Sequence, residues 1–480
     1  MRTSRLVVAS LLLAACSDAG TDDVEMPDFD DYADGKVDTG YFGSRSAEME
    51  ATFTGSVRVN LPGKSQQELA AIAATLRTNP ADFGLRDIVY QVTQQAKFAR
   101  NALRAAKFTL NLEGGDPTFT NITVVADGLQ LDYQLKIESL VKYKDLEAMG
   151  LKPADLVGQN IEMKLPGNLD NLLARAGTKC ASDFDAAGAA VPAEDLRADN
   201  MFYYWDPARM GCPISGDQLA AASYKVTSSN TAASIYPEYD KLVADGKITM
   251  VQIFGQIEHG ELSSSDWGFR SYNDVTRVLK GMGFTKVASF PDNKGQKLKR
   301  TMPSGLVVEI DLYTPVSFAD HVDREVSNTA FRTAIKDKEL VYYAGHAFYG
   351  SLTVLDEPTA YPANTYQIIF MDACWSYAYY TKQVFRNKAT PTDPTGFVLT
   401  DVVNNTEMGI TGSELTAQVL FENVFKGADA VKARRSARNY SWNNLIKYMN
   451  EHAQRRADAR GTDDAEIYGV SGVRTNAFKP

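Results

Sequence analysis

Two short apolar runs, each cut off by a chemically capable residue, constrain this chain more than any other feature. The first is Glu339-Leu-Val-Tyr-Tyr-Ala-Gly-His346-Ala347, and the second is Tyr366-Gln-Ile-Ile-Phe-Met-Asp372-Ala-Cys374-Trp-Ser376. Runs this short, bounded by turn residues, read as strands buried on both faces of a parallel sheet. In an open α/β sheet the crevice beyond the carboxyl ends of the strands is where sites form. Two such strands side by side bring His346 and Cys374 to one edge. A thiol beside an imidazole is the minimal equipment for nucleophilic acyl transfer. Either residue alone reads as structural, because cysteine is among the most buried residue types and a strand-end histidine is commonly satisfied in the core. The pair carries the reading.

The surrounding rhythm supplies the sheet. From residue 236 strand and helix alternate: Ile248-Thr-Met-Val-Gln-Ile-Phe254 is a strand and residues 266–282 a helix with Gly283 placed to stop it. Residues 286–290 and 306–312 are further strands, and Ser317 with Asp320 is expected to cap a helix running to about Lys336. After the opening pair come a helix over 375–385, a strand over 397–403 and helices over 414–426 and 442–457. Strands alternating with helices imply a doubly wound, mostly parallel sheet. The chain is therefore α/β over residues 236–480.

Cys374 falls where a strand passes into a helix, so the helix dipole and a nearby imidazole are both expected to favour thiolate. His346 can take the thiol proton and return it to a leaving amine. The backbone amides of Ala347 and Cys374 are the candidate oxyanion donors.

Together, Leu340-Val-Tyr-Tyr-Ala-Gly-His346 and Ile368-Ile-Phe-Met-Asp-Ala-Cys374 resemble the signature of the clan CD cysteine peptidases, the family of caspases, metacaspases, clostripain and gingipains. That resemblance covers roughly the carboxy-terminal half of the chain. It implies a caspase-like sheet flanked by helices, with His346 and Cys374 as a catalytic dyad acting on a protein or peptide. It also implies that Asp372, two before the cysteine, lines the pocket for an Arg or Lys side chain, to which a carboxylate pairs strongly and directionally. The reading of Asp372 from the residues alone is a cap for the turn at Cys374. Calcium enters only through the resemblance; no cofactor is read from the residues, and four scattered histidines give no metal site. Two departures stand out: Ala347 replaces the usual glycine after the histidine, and the His346–Cys374 connection is short. Both belong to the alternative reading, an inactive caspase-like chain serving as a binding or structural module.

The start of the chain reads as an address. A basic head, an apolar run over residues 6–13 and Leu13-Ala14-Ala15-Cys16 resemble the bacterial lipoprotein signal, implying cleavage before Cys16 and lipidation of it. Two or more acyl chains anchor a protein firmly where one holds it marginally. The expectation is a signal peptide over 1–15 and a lipid-anchored protein of the bacterial cell envelope. Residues 17–40 carry nine acidic residues against Lys36, too polar for a core, and a disordered tether is expected over 16–45. The chain is −10 overall; the leader contributes +2 and the tether −8, which leaves −4 for the rest. A body so near neutral has no electrostatic footprint for nucleic acid.

Between tether and α/β half, residues 46–235 read as a strand-rich α+β region of unknown role. Alternating stretches at 52–61 and 108–112, and a hairpin around Asp127-Gly128, interleave with helices over 66–77 and 86–106. Cys180 and Cys212 are the candidate disulfide, which spacing alone does not fix; that pairing leaves Cys374 as the free thiol.

Overall fold

The computed structural model describes residues 41–80, 82–111, 117–182, 196–198, 200–230, 235–258, 260–319, 321–347, 353–362, 364–407, 409–462 and 465–480. Cys16, the leader, the acidic tether up to residue 40, His259 and Asp320 lie outside them. Among the described residues no helix is long and apolar enough to cross a membrane.

The described chain opens with β1 (Phe42–Gly43), in a stretch expected to belong to the tether. That boundary needs correcting. Tyr41 and Phe42 are buried, the Tyr41 hydroxyl lies 2.6 Å from Ser46 Oγ, and Phe42 pairs with Val470 near the far end of the chain. Two adjacent aromatics supply the apolar surface that the preceding acidic run lacks.

β2 (Ser46–Asn60) alternates buried and half-buried residues over most of its length, the period of a strand covered on one face. There follow α1 (Gln66–Thr78), α2 (Arg86–Lys97), α3 (Arg100–Ala105), β3 (Phe108–Leu110), β4 (Thr118–Val125), β5 (Gly128–Lys142), α4 (Tyr143–Ala148), β6 (Asn160–Pro166), α5 (Leu172–Ala176) and β7 (Leu219–Asn230). The six strands from β2 to β7 form one antiparallel sheet, ordered β3-β5-β2-β7-β6 with β4 also pairing with β5. The expected hairpin forms, but its turn is Ala126-Asp127 and Gly128 already stands in β5 opposite Asn60. A Cβ at Gly128 would fall 2.0 Å from the Val59 carbonyl oxygen, so close approach of the strands selects the glycine. Cys180 and Cys212 are bonded, closing a loop of 32 residues and contributing about 3–4 kcal/mol in the chain-entropy picture.

The second half builds a nine-stranded sheet. Its elements are α6 (Tyr239–Leu242), β8 (Lys247–Phe254), α7 (Trp267–Gly281), β9 (Thr285–Phe290), β10 (Gly295–Thr301), β11 (Val307–Tyr313), α8 (Arg324–Ile335), β12 (Leu340–Ala344), β13 (Gln367–Asp372), α9 (Ser376–Lys388), β14 (Thr400–Asn405), α10 (Glu414–Lys432), α11 (Trp442–Arg460) and β15 (Tyr468–Ser471). The order is β1-β15-β14-β13-β12-β8-β11-β10-β9, and the five strands from β14 to β11 run parallel. Antiparallel strands close both ends. The fold is thus mixed α/β, with a parallel centre. α8 is shorter at its start than expected and is capped by Asp323, whose carboxylate accepts from the amides of Glu325 and Val326.

The two faces of this sheet bury different partners. Ile248, Met250, Leu340, Tyr342, Ile368 and Phe370 pack in one core with α7, α10 and α11. Val251, Ile253, Val341, Tyr343, Ile369 and Met371 face α8, α9 and the antiparallel sheet in the other. α9 is therefore buried nearly all round: Tyr377, Ala378, Tyr379, Tyr380, Val384 and Phe385 are all inaccessible. Tyr377 donates to the buried Glu48 of β2 at 2.6 Å, which ties the helix to the first sheet.

Candidate active site

Because β8, β12, β13 and β14 are parallel neighbours, their carboxyl ends emerge at one edge of the sheet. β12 and β13 pair from Leu340↔Ile368 through Ala344↔Asp372. His346 and Cys374 each lie two residues past that last pair, on strands about 4.8 Å apart. Equal offsets on adjacent strands put the imidazole-bearing and thiol-bearing residues at the same level. Both are half-buried, and Cys374 is the one unbonded cysteine among the described residues.

The loop carrying His346 is held by aromatics. Tyr343 donates to the His346 carbonyl at 3.1 Å, and the Tyr380 hydroxyl of α9 donates to the carbonyl of the buried Ala347. A Cβ at Gly345 would fall 2.4 Å from the Tyr343 hydroxyl, so the packed tyrosine is what requires glycine there. The ring is fixed from β8's side: His346 Nε2 lies 2.8 Å from the carbonyl oxygen of Ile257. A carbonyl oxygen can only accept, so in the neutral ring Nε2 carries the hydrogen and Nδ1 is the basic nitrogen.

Cys374 sits at the mouth of a strained turn. Trp375, the residue after it and the N-cap of α9, has φ +47° and ψ +39°, the left-handed region that is uncommon for a large side chain. Its amide donates to the Glu407 carbonyl at 2.7 Å, from the loop after β14. Its ring packs edge-on against Tyr203 at 5.3 Å and lies 4.9 Å from the Arg100 guanidinium. Arg100 and Tyr203 are both buried, and Arg100 donates to the Tyr203 hydroxyl at 2.7 Å. The amino-terminal region therefore reaches the residue next to the thiol. Sequence gave it no such role.

The electrostatics of the thiol differ from the expectation. Burial pushes the Cys374 thiol above its ordinary value; the Gly409 N–H, which donates to Sγ at 3.3 Å, works the other way, and Asp372 adds to the rise. Desolvation is the largest of these influences, and it favours the neutral thiol over the thiolate. Gly409 lies so close that a Cβ there would stand 3.4 Å from the Cys374 amide nitrogen and 3.7 Å from Sγ.

Asp372 faces the other side of the sheet from the amino-terminal region. It is buried, accepts from the Tyr342 hydroxyl at 2.8 Å, and its second oxygen has no hydrogen-bond partner. Burial first, and then Glu466 and Glu414, push its pKa up to about 7 against the bonds from Tyr342 and Ser413. Glu414 and Glu466 are themselves buried, with Arg456 3.9 Å from Glu466. Among the described residues no cluster of His, Cys, Asp and Glu could hold a metal ion.

Ile257 and Gly409 escaped the sequence reading because each acts through its backbone, which carries no side-chain signature. No family model matches this chain, nor does any curated protein or any solved structure.

Proposed function

We propose that this chain is a cysteine endopeptidase of caspase-like type, anchored to the bacterial cell envelope through a lipid on Cys16. The observation that carries the reading is the matched offset of His346 and Cys374 on adjacent parallel strands, with His346 Nε2 engaged by a carbonyl so that Nδ1 is the base. In the cycle Nδ1 takes the thiol proton and Sγ adds to the scissile carbonyl carbon. The amides of Cys374 and Ala347 stabilise the oxyanion, and a glycine at 409 keeps the front of the Cys374 amide clear of side chain. Imidazolium then protonates the leaving amine. Water, deprotonated by the same ring, hydrolyses the thioester and restores the thiol.

Cleavage after Arg or Lys is part of the proposal. Three buried carboxylates, Asp372, Glu414 and Glu466, lie in one neighbourhood; Arg456 stands 3.9 Å from Glu466, but one oxygen of Asp372 has no hydrogen-bond partner, and a second cation there would be favourable. A guanidinium or ammonium from the substrate would supply it. The rival reading, a dead site kept as a binding module, is supported by the burial that favours the neutral thiol.

Fluorogenic peptides ending in Arg, Lys or Asp, offered to the full chain under reducing conditions with and without calcium, test this. Release from the Arg and Lys peptides that disappears in Cys374→Ala is expected. No release from any peptide favours the binding module, and transfer to an added amine in place of water identifies an acyl transferase.

A further inference from the structure

We propose that Asp266 is a positioning residue for His346, acting through the backbone of the loop that follows β8. It rests on the peptidase reading for its kinetic consequence alone. Asp266 is fully buried and precedes α7, where it looks like an ordinary N-cap, accepting from the Gly268 amide at 2.7 Å. It does more than cap. The same carboxylate accepts from the Ile257 amide at 3.1 Å and the Glu258 amide at 2.7 Å. Three backbone donors thus converge on one desolvated carboxylate, and charge-assisted bonds of this kind are the strong ones.

The peptide group between Ile257 and Glu258 is what connects this cluster to the site. Its N–H, that of Glu258, is held by Asp266 at 2.7 Å, and its carbonyl oxygen, that of Ile257, holds His346 Nε2 at 2.8 Å. The loop is pinned at its start too, where the Gly255 amide donates to the Ala344 carbonyl at 2.8 Å, on the strand that carries His346. A Cβ at Gly268 would fall 2.1 Å from the Gly255 carbonyl oxygen, so α7 docks directly against this loop. The carboxylate, the loop and the imidazole form one continuous chain of contacts. Moving the Ile257 carbonyl removes the acceptor that keeps hydrogen on Nε2, and Nδ1 then loses its standing as the base.

Asp266→Ser separates this role from capping. Serine accepts from the Gly268 amide as a good N-cap, yet its single short hydroxyl cannot also hold Ile257 and Glu258. Asp266→Asn serves as the second variant should the serine form fold poorly, with thermal melts confirming folding. Two readouts are taken on the full chain. The first is the tautomer of His346, read by nitrogen NMR of labelled histidine; the chain has four histidines, and His346→Gln assigns the signal. The expected result is a single Nε2–H tautomer in the parent chain and a mixture in the variants. The second is turnover: kcat is expected to fall about 10²-fold, the scale of a misplaced catalytic group, while KM stays within about twofold. An unchanged tautomer, or wild-type kcat in a folded variant, overturns the proposal. If the parent chain cleaves nothing and yet the tautomer shifts in the variants, the peptidase reading falls and the positioning of His346 by Asp266 stands.

Discussion

The two sheets of this molecule use comparable materials to opposite ends. In the antiparallel sheet of β2 to β7 successive strand ends alternate between two edges, so no edge gathers the carboxyl ends of neighbouring strands. In the parallel centre of the nine-stranded sheet, β8, β12, β13 and β14 all end on the same side. That single difference brings four separate loops, with Ile257, His346, Cys374 and Gly409, to one edge of the second sheet. The first sheet takes another part. It buries the outer face of α9, while α3 and the turn at residues 201–204 of the same region set Arg100 and Tyr203 beside Trp375, at the turn on which the thiol sits.

If only the parallel sheet does chemistry, Cys374→Ala and His346→Ala should each lower peptide hydrolysis by about 10³-fold or more while leaving thermal melts close to the parent. A comparable loss from an exposed substitution in the antiparallel sheet would break the division.

If the first sheet stiffens the second, Tyr203→Ala should cost about 3–5 kcal/mol in denaturant unfolding, as for other buried aromatic truncations. It should also quicken alkylation of Cys374, because it strips the support from Trp375. Loss of stability with no change at the thiol would make the two sheets independent. The double substitution Cys180→Ser with Cys212→Ser should cost about 3–4 kcal/mol through loop entropy and leave kcat unaltered.

The parallel sheet should also make stability depend on pH. Burial raises Asp372, Asp401 and Glu339 each to about 7. The folded chain therefore binds more protons than the unfolded chain between about pH 4 and 7, and the stability these groups contribute is lost as pH rises through 7. The melting temperature should be lower at pH 7.5 than at pH 5, and Asp401→Asn should flatten that slope. A smaller effect is expected at the rim: Val287→Thr on β9, where Val287 is 52% exposed, should stay within about 0.5 kcal/mol.

Sequence made the parallel centre easy to read because its strands are buried on both faces and are apolar without interruption, as in Leu340-Val-Tyr-Tyr. β10 was missed since Gln296-Lys-Leu-Lys-Arg carries charge on alternate positions and leans on Asp311 and Glu309 of its neighbour, which only folding brings near. β1 was hidden by the acidic run beside it. His346 and Cys374 were legible as candidates because side-chain chemistry marks them, and the register of β12 and β13 sets them at the same level. Asp266 reads in sequence only as the start of a helix, for its bonds to Ile257 and Glu258 reach back nine and eight residues to amides that look like any others.

The most direct test of the central claim is labelling by a peptidyl-arginine chloromethyl ketone, located by mass spectrometry of the digested full chain. The account predicts one adduct at Cys374, no adduct there from the aspartyl analogue, and loss of labelling in His346→Gln. An unlabelled Cys374, or equal labelling with and without His346, would contradict it.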